Sequence, residues 1–169
     1  MKKGSFAVLA LALMLGMSAT PAQAQLWFGP QVSWGDDADI AIGGKIGAAV
    51  ASLGNAGARK NVDLMGAFDY FLDCDECSYF EITGGALYNF DIGESIGPYA
   101  GGGLNYGRIS VDSDSPGVDD FSDSEIGLAL MGGLRFLLGT LNADAGARIT
   151  VGGAEQAVLS FAILFGGGR

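Results

Sequence analysis

Eight times after residue 25, the chain runs for about ten residues with apolar side chains at every second position. The intervening positions hold Gly, Ala, Ser, Thr, Asn or a lone charge. Successive side chains of a strand leave opposite faces of a sheet, so a period of two predicts strands. A run of about ten residues also matches the length that crosses a bilayer at a tilt. The expected strands are Leu26–Trp34, Ile40–Val50, Asn61–Phe71, Tyr79–Phe90, Pro98–Val111, Glu125–Leu138, Leu141–Val151 and Gln156–Phe165. Between them lie Gly, Asp, Ser and Asn, the residues that turns require. An even strand number lets every neighbour pair antiparallel and lets the sheet close without an edge.

Residues 1–24 have the form of an export signal. Lys2 and Lys3 precede a short apolar run, Phe6 to Met14, and Ala22-Gln23-Ala24 offers the small residues needed for cleavage between Ala24 and Gln25. Residues 25–169 then form one domain. Without Lys2 and Lys3, 7 basic residues stand against 19 acidic ones, a net charge of −12. That balance excludes nucleic acid, whose phosphates require clustered Lys and Arg, and it excludes docking on anionic lipid through a basic patch. No later stretch is a continuous apolar run long enough for a transmembrane helix. Export, apolarity and no helix leave a barrel as the spanning solution.

Sorting strands by parity separates two faces. In strand three Val62, Leu64, Phe68 and Tyr70 oppose Asn61, Asp63, Met65 and Asp69; in strand seven Ala143, Ala145, Ala147 and Ile149 oppose Asn142, Asp144, Gly146 and Arg148. Strand five fits poorly, because Arg108 shares parity with Leu104 and Tyr106, which calls for a bulge or for a strand that projects above the membrane. The polar face is mostly small residues with scattered charges, which suits a narrow lumen better than a soluble surface. The aromatics gather toward strand ends. Trp27, Phe28, Tyr88, Phe90, Tyr99, Phe136 and Phe165 lie at one end; Trp34, Phe68, Tyr70, Phe71, Tyr79, Phe80, Tyr106 and Phe121 lie toward the other. Two such belts fit the two bilayer interfaces. The expectation is an all-β, eight-stranded antiparallel up-and-down transmembrane β-barrel behind a cleavable signal peptide. The alternative is an exported soluble lipocalin-like barrel with an apolar ligand inside.

The segment Gly97-Pro98-Tyr99-Ala100-Gly101-Gly102-Gly103-Leu104-Asn105-Tyr106 and the final strand Leu159–Phe165 carry a resemblance to the small eight-stranded outer-membrane β-barrel proteins of Gram-negative bacteria. The likeness spans residues 25–165 and is one of pattern more than motif. It implies location in the cell outer membrane, contact with outer-membrane lipid and lipopolysaccharide, biogenesis through the barrel-assembly machinery, and a monomer. The last strand departs from the family's assembly segment at Ser160, where Gly is usual, and by the Gly166–Arg169 tail. With the N-terminus in the periplasm, the connections after strands one, three, five and seven face outward. Ser52–Lys60 is then long for a periplasmic turn, which weighs mildly against this orientation.

Three candidate sites follow. Lys45, Arg135 and Arg148 share the polar face with Asp63, Asp69, Glu81 and Asp144, and charges in a narrow lumen persist when paired. They form a salt-bridged plug or, alternatively, a gated ion path through a narrow channel. Cys74 and Cys77 are the only cysteines, in a short acidic loop, and in an exported chain an even pair reads as a disulfide. Asp112, Asp114, Asp120 and Asp123, around Gly117, partly match a calcium loop, although Pro116 and the final Asp in place of Glu weaken Ca2+ binding. A solvated acidic loop is the plainer reading. Barrel enzymes of the outer membrane use a His as base or to orient one; the chain has no His, so no Ser-His-Asp arrangement can form. The expected role is not enzymatic but structural or surface-binding, with the ligand unspecified.

Overall fold

Alternation becomes a ladder in the computed structural model, which describes residues 26–36, 39–51, 61–72, 77–90, 96–111 and 121–166. The strands are β1 (Leu26–Gly35), β2 (Asp39–Ala51), β3 (Val62–Phe71), β4 (Cys77–Asn89), β5 (Ile96–Val111), β6 (Phe121–Leu138), β7 (Leu141–Val151) and β8 (Gln156–Gly166). Each pairs antiparallel with the next, and β1 pairs with β8, so the sheet closes into an up-and-down barrel. Closure matters because an open edge cannot lie in hydrocarbon. The connections after β1, β3, β5 and β7 gather at what is here termed the upper end; those after β2, β4 and β6 gather at the lower end. No helix among the described residues is long and apolar enough to cross a membrane; the crossing elements are strands.

Burial alternates with the pleat. Along β1 the outward Leu26, Phe28, Val32 and Trp34 are exposed while Trp27, Gln31 and Ser33 point into the lumen and are buried. Below the level of Ser78, Arg108 and Ser124 the outer face of every strand is apolar, and the inside holds the polar groups. This removes the soluble alternative, whose apolar side chains would line the interior and whose surface would be wet. Phe28 stacks on Phe165 at 6.1 Å and Tyr88 on Phe90 at 5.0 Å near the lower end. Phe68, Phe80 and Tyr106 form a chain of rings at 6.0 and 6.3 Å toward the upper end. Two aromatic belts therefore border the apolar band.

Some rings assigned to the belts are not in them. Trp27, Tyr99 and Phe71 are 5%, 5% and 2% exposed and face the lumen, as does Tyr79, which lies against Phe71. Each shares parity with polar residues of its own strand, which is the signal that end-of-strand counting overlooked.

Strand five holds no bulge. Its register is unbroken from Tyr99 to Val111 against β4 and from Ile96 to Val111 against β6, and Arg108 sits on the outer face opposite Phe80 and Ser124. The strand continues past the aromatic belt instead, so Arg108 lies beyond Tyr106 at headgroup depth, where a long cationic side chain reaches water. β6 starts at Phe121, earlier than expected, because Ser122, Asp123 and Ser124 extend the β5 ladder without any apolar alternation.

Cys77, the first residue of β4, is disulfide-bonded and carries no free thiol; Cys74, its expected partner, lies outside the described residues. The β3–β4 ladder ends with Phe71 opposite Tyr79, and Cys77 pairs with Val111 of β5.

Candidate functional site in the lumen

Inward parity brings side chains from seven of the strands into the barrel, and they sort into two layers of charge. The lower layer centres on Asp144 of β7, which is fully buried. It accepts hydrogen bonds from Lys45 Nζ at 2.7 Å, Tyr99 Oη at 3.0 Å and Arg135 Nε at 3.3 Å. Arg135 and Asp144 are direct cross-strand partners, whereas Lys45 reaches Asp144 across the lumen from β2. The Arg135 Nη1 donates to Asp63 at 2.6 Å and to Asn89 at 3.2 Å. Its guanidinium lies 4.3 Å from the Trp27 ring centre and 5.2 Å from that of Tyr99. A planar cation between two rings gains from both the ring quadrupoles and the carboxylates. Trp27 Nε1 completes the layer by donating to Asp63 at 3.2 Å.

The upper layer begins from an unfavourable juxtaposition. Asp69 of β3 and Glu81 of β4 are directly opposite in register, a like-charge pair that repels. Arg148 of β7 answers it by donating to both, Nη1 to Asp69 at 3.3 Å and Nη2 to Glu81. Neutral donors supply the rest. Gln31 and Ser33 donate to Asp69 at 2.6 and 2.7 Å; Tyr79 and Asn105 donate to Glu81 at 2.7 and 3.1 Å. Thr83 bridges Asn105 and Arg148. Between the layers lie Met65, Ala67, Leu87 and Met131.

The two layers plug the lumen. The seven charged residues singled out from the sequence thus occupy two separate networks, Lys45, Asp63, Arg135 and Asp144 below and Asp69, Glu81 and Arg148 above. Their neutral partners were not anticipated, although Trp27, Gln31, Ser33, Thr83, Tyr99 and Asn105 all carry the inward parity. Two glycine positions also matter through space alone. A Cβ at Gly47 would stand 2.1 Å from the Trp27 ring, and one at Gly133 would stand 2.5 Å from the Tyr99 hydroxyl. These glycines are the seats of the lumen aromatics.

The other candidates fall elsewhere. Asp112, Asp114 and Asp120 lie outside the described residues, as do Ala24, Gln25 and Cys74. Asp123 is in β6 opposite Ile109, where its carboxylate accepts the Ser124 N–H at 2.8 Å. Among the described residues, no group of three or more His, Cys, Asp or Glu is placed to hold a metal ion. The lumen geometry supports rigid closure.

Comparison with known proteins gives a consistent picture. The family model described as "Outer membrane protein beta-barrel domain" matches residues 8–154. Ail, the attachment invasion locus protein of Yersinia pestis, is similar in structure with a TM-score of 0.60 at 16% identity, over 85% of this chain and 95% of Ail. The N-terminal β-barrel domain of Pseudomonas aeruginosa OprF is similar at a TM-score of 0.57 and 20% identity, over 85% of this chain and 100% of that domain. Neisserial surface protein A has a TM-score of 0.52 at 16% identity, over 83% of this chain and 94% of its own. Identities this low speak to fold alone. No curated protein sequence matches the chain.

Proposed function

Because the chain belongs to the outer membrane protein beta-barrel domain family, which places it in the outer membrane, we propose that it is a closed structural barrel whose binding is done at the cell surface. The observation that carries this reading is the double ion-paired plug, which leaves the lumen no room for a solute and leaves the connections as the place to act. The upper end faces outward in this reading. Thirteen of the 19 carboxylates lie in or beside its four connections, and Arg108 is the one Lys or Arg at the same height. Such a surface favours cationic partners and repels polyanions.

Several parts of the reading concern biogenesis and surroundings. Residues 1–24 are removed as a signal peptide and 25–169 form the mature barrel. The Leu159–Phe165 segment serves as the contact for the barrel-assembly machinery. Closure of β1 on β8 leaves no strand edge across the membrane, which supports a monomer. The outer leaflet around the barrel is lipopolysaccharide, whose phosphates meet Arg108 directly and meet the acidic upper end through divalent cations.

Protease added to intact cells tests the orientation and the role together. The expected result is cleavage within 112–120 with the rest of the barrel protected and still heat-modifiable on gels. Cleavage confined to 52–60 would reverse the orientation. Planar bilayers test the closure: no stepped conductance is expected, and steady single-channel currents in the intact protein would replace this reading by a channel.

A further inference from the structure

Three strands outrun the rest of the barrel. β4, β5 and β6 stay paired as far as Cys77, Val111 and Phe121, whereas β6 parts from β7 above Leu128 and Val151. Val111 and its partner Phe121 stand five residues beyond Tyr106, about 16 Å along the strand. Parity puts Ile109, Val111, Phe121 and Asp123 on the face that carries Gly107 and Gly127, which is the face turned toward the barrel axis; Arg108 is on the reverse. The β7–β8 turn makes a floor under this wall. A Cβ at Gly107 would stand 2.7 Å from that of Ala154, and one at Gly127 would collide with the Gly153 carbonyl, so the turn lies against both strands. Glu125 fixes it there by accepting the Ala154 N–H at 2.6 Å.

The wall is apolar where no hydrocarbon reaches it. Lower down the exposed apolar side chains face lipid, but these face the axis above the aromatic belt. Phe121 is 59% exposed, and Ile109 and Val111 are half-buried. Exposed carboxylates frame them, Asp123 opposite Ile109 on the wall, Glu155 in the floor and Asp36 at the top of β1. Among the described residues no Lys or Arg stands on this side of the wall. An anion is repelled by that frame, and a small bare cation would leave Phe121, Ile109 and Val111 in water. The occupant that fits brings positive charge and apolar side chains together.

We propose that the wall and its floor are the docking site of an extended polypeptide segment in which Lys or Arg alternates with apolar residues. Alternate side chains of an extended segment leave opposite sides. Its apolar set lies on Ile109, Val111 and Phe121, while its cations turn to the carboxylates around the mouth. The segment lies against the face rather than adding a strand to the free edge of β6, because Asp123 already accepts the Ser124 N–H at 2.8 Å and Glu125 is committed to the turn. This inference rests on the reading of the upper end as the outward binding surface, and names the partner class and the place.

The test uses the full mature barrel in phosphatidylcholine nanodiscs, with empty discs as the control for lipid binding. The probes are fluorescein-labelled decapeptides of alternating Lys and Val, of alternating Lys and Ser, and of alternating Glu and Val, followed by anisotropy. The Lys–Val peptide should bind the barrel about tenfold more tightly than the Lys–Ser peptide, and the Glu–Val peptide should not bind. Phe121→Ser and Asp123→Lys are both at exposed positions, and each heat-modifiable variant should weaken Lys–Val binding about tenfold. Arg108→Ser, on the reverse face, should leave it within about twofold. Lys–Ser binding as tight as Lys–Val, or Lys–Val binding unmoved by both wall variants, would overturn the docking site and leave a merely acidic surface. Lys–Val binding no tighter than to empty discs would overturn the docking site and the preference for cationic partners together.

Discussion

Asp144 takes three donors from three strands, and among the described residues no other side chain connects the Lys45 ammonium to the wall opposite. Its replacement in Asp144→Asn leaves Lys45 buried without a counter-charge and Arg135 with Asp63 alone. Breaking one side of a buried pair costs about 3–5 kcal/mol, so the midpoint of urea unfolding of the refolded barrel should fall accordingly. An unchanged midpoint with new conductance would instead make the ion pair a gate. Gly47 is the complementary case, where the residue matters for what it lacks. Gly47→Ala drives a methyl into the Trp27 ring, and that ring is tied to Asp63 and lies on Arg135. Overpacking of this kind costs about 1–3 kcal/mol. Only Trp27 and Trp34 contribute indole emission, so a shift of the spectrum alongside the stability loss would report displacement of Trp27. The seven lumen charges were legible from parity, but the partition into two networks was not. Which acid meets which base depends on register and on distances across the barrel, and neither is written in the alternation of one strand.

At the level of the strand, alternation fixed β7 to the residue because Leu141–Val151 is polar and apolar by turns from end to end. It failed where pairing continues without hydrophobic contrast, as at the start of β6. There the ladder of β5 runs on to Val111 opposite Phe121, while the ladder to β7 stops at Leu128 opposite Val151. The β5–β6 hairpin consequently rises above its neighbours, and its exposed β6 edge is blunted by its own acids. Asp123 accepts the Ser124 amide and Glu125 accepts the Ala154 amide at 2.6 Å. The height of this hairpin also explains the misfit of Arg108. Depth along β5 then becomes testable with one side chain placed at two levels. Leu104 faces outward between Gly84 and Leu128 and is 57% exposed to the surroundings of the barrel. Leu104→Arg should cost about 2–4 kcal/mol in lipid vesicles, and Arg108→Leu about 0–1 kcal/mol in either direction. Equal costs for the two would mean that Arg108 lies as deep as Leu104, and would return the strand to a bulged or shifted register.

Over the whole molecule, charge is arranged along the barrel axis rather than around it. Arg108 is the one charged side chain on the outward face of the described strands, the lumen charges are largely paired with one another, and the surplus acid stands at the upper end. That asymmetry was half visible in the sequence: the net charge of −12 could be counted, but its placement required knowing that alternate connections share an end. It has a consequence for insertion. A barrel that enters a bilayer from one side must carry its upper connections across, and thirteen carboxylates against the single cation Arg108 approach an anionic lipid surface against their own charge. Adsorption, the first step, is therefore opposed by lipid charge and should be sensitive to screening. At low ionic strength the heat-modifiable band should appear more slowly in vesicles containing phosphatidylglycerol than in phosphatidylcholine vesicles of the same acyl chains. Around 0.5 M salt the screening length falls to about 4 Å, and the two rates should converge, because only the charge term differs between the lipids. Divalent cations should achieve the same convergence at lower concentration by bridging carboxylate and phosphate. Equal rates at low salt would mean that the lower end, with Arg59 and Lys60, makes first contact and that the acidic connections never meet the lipid before the barrel closes.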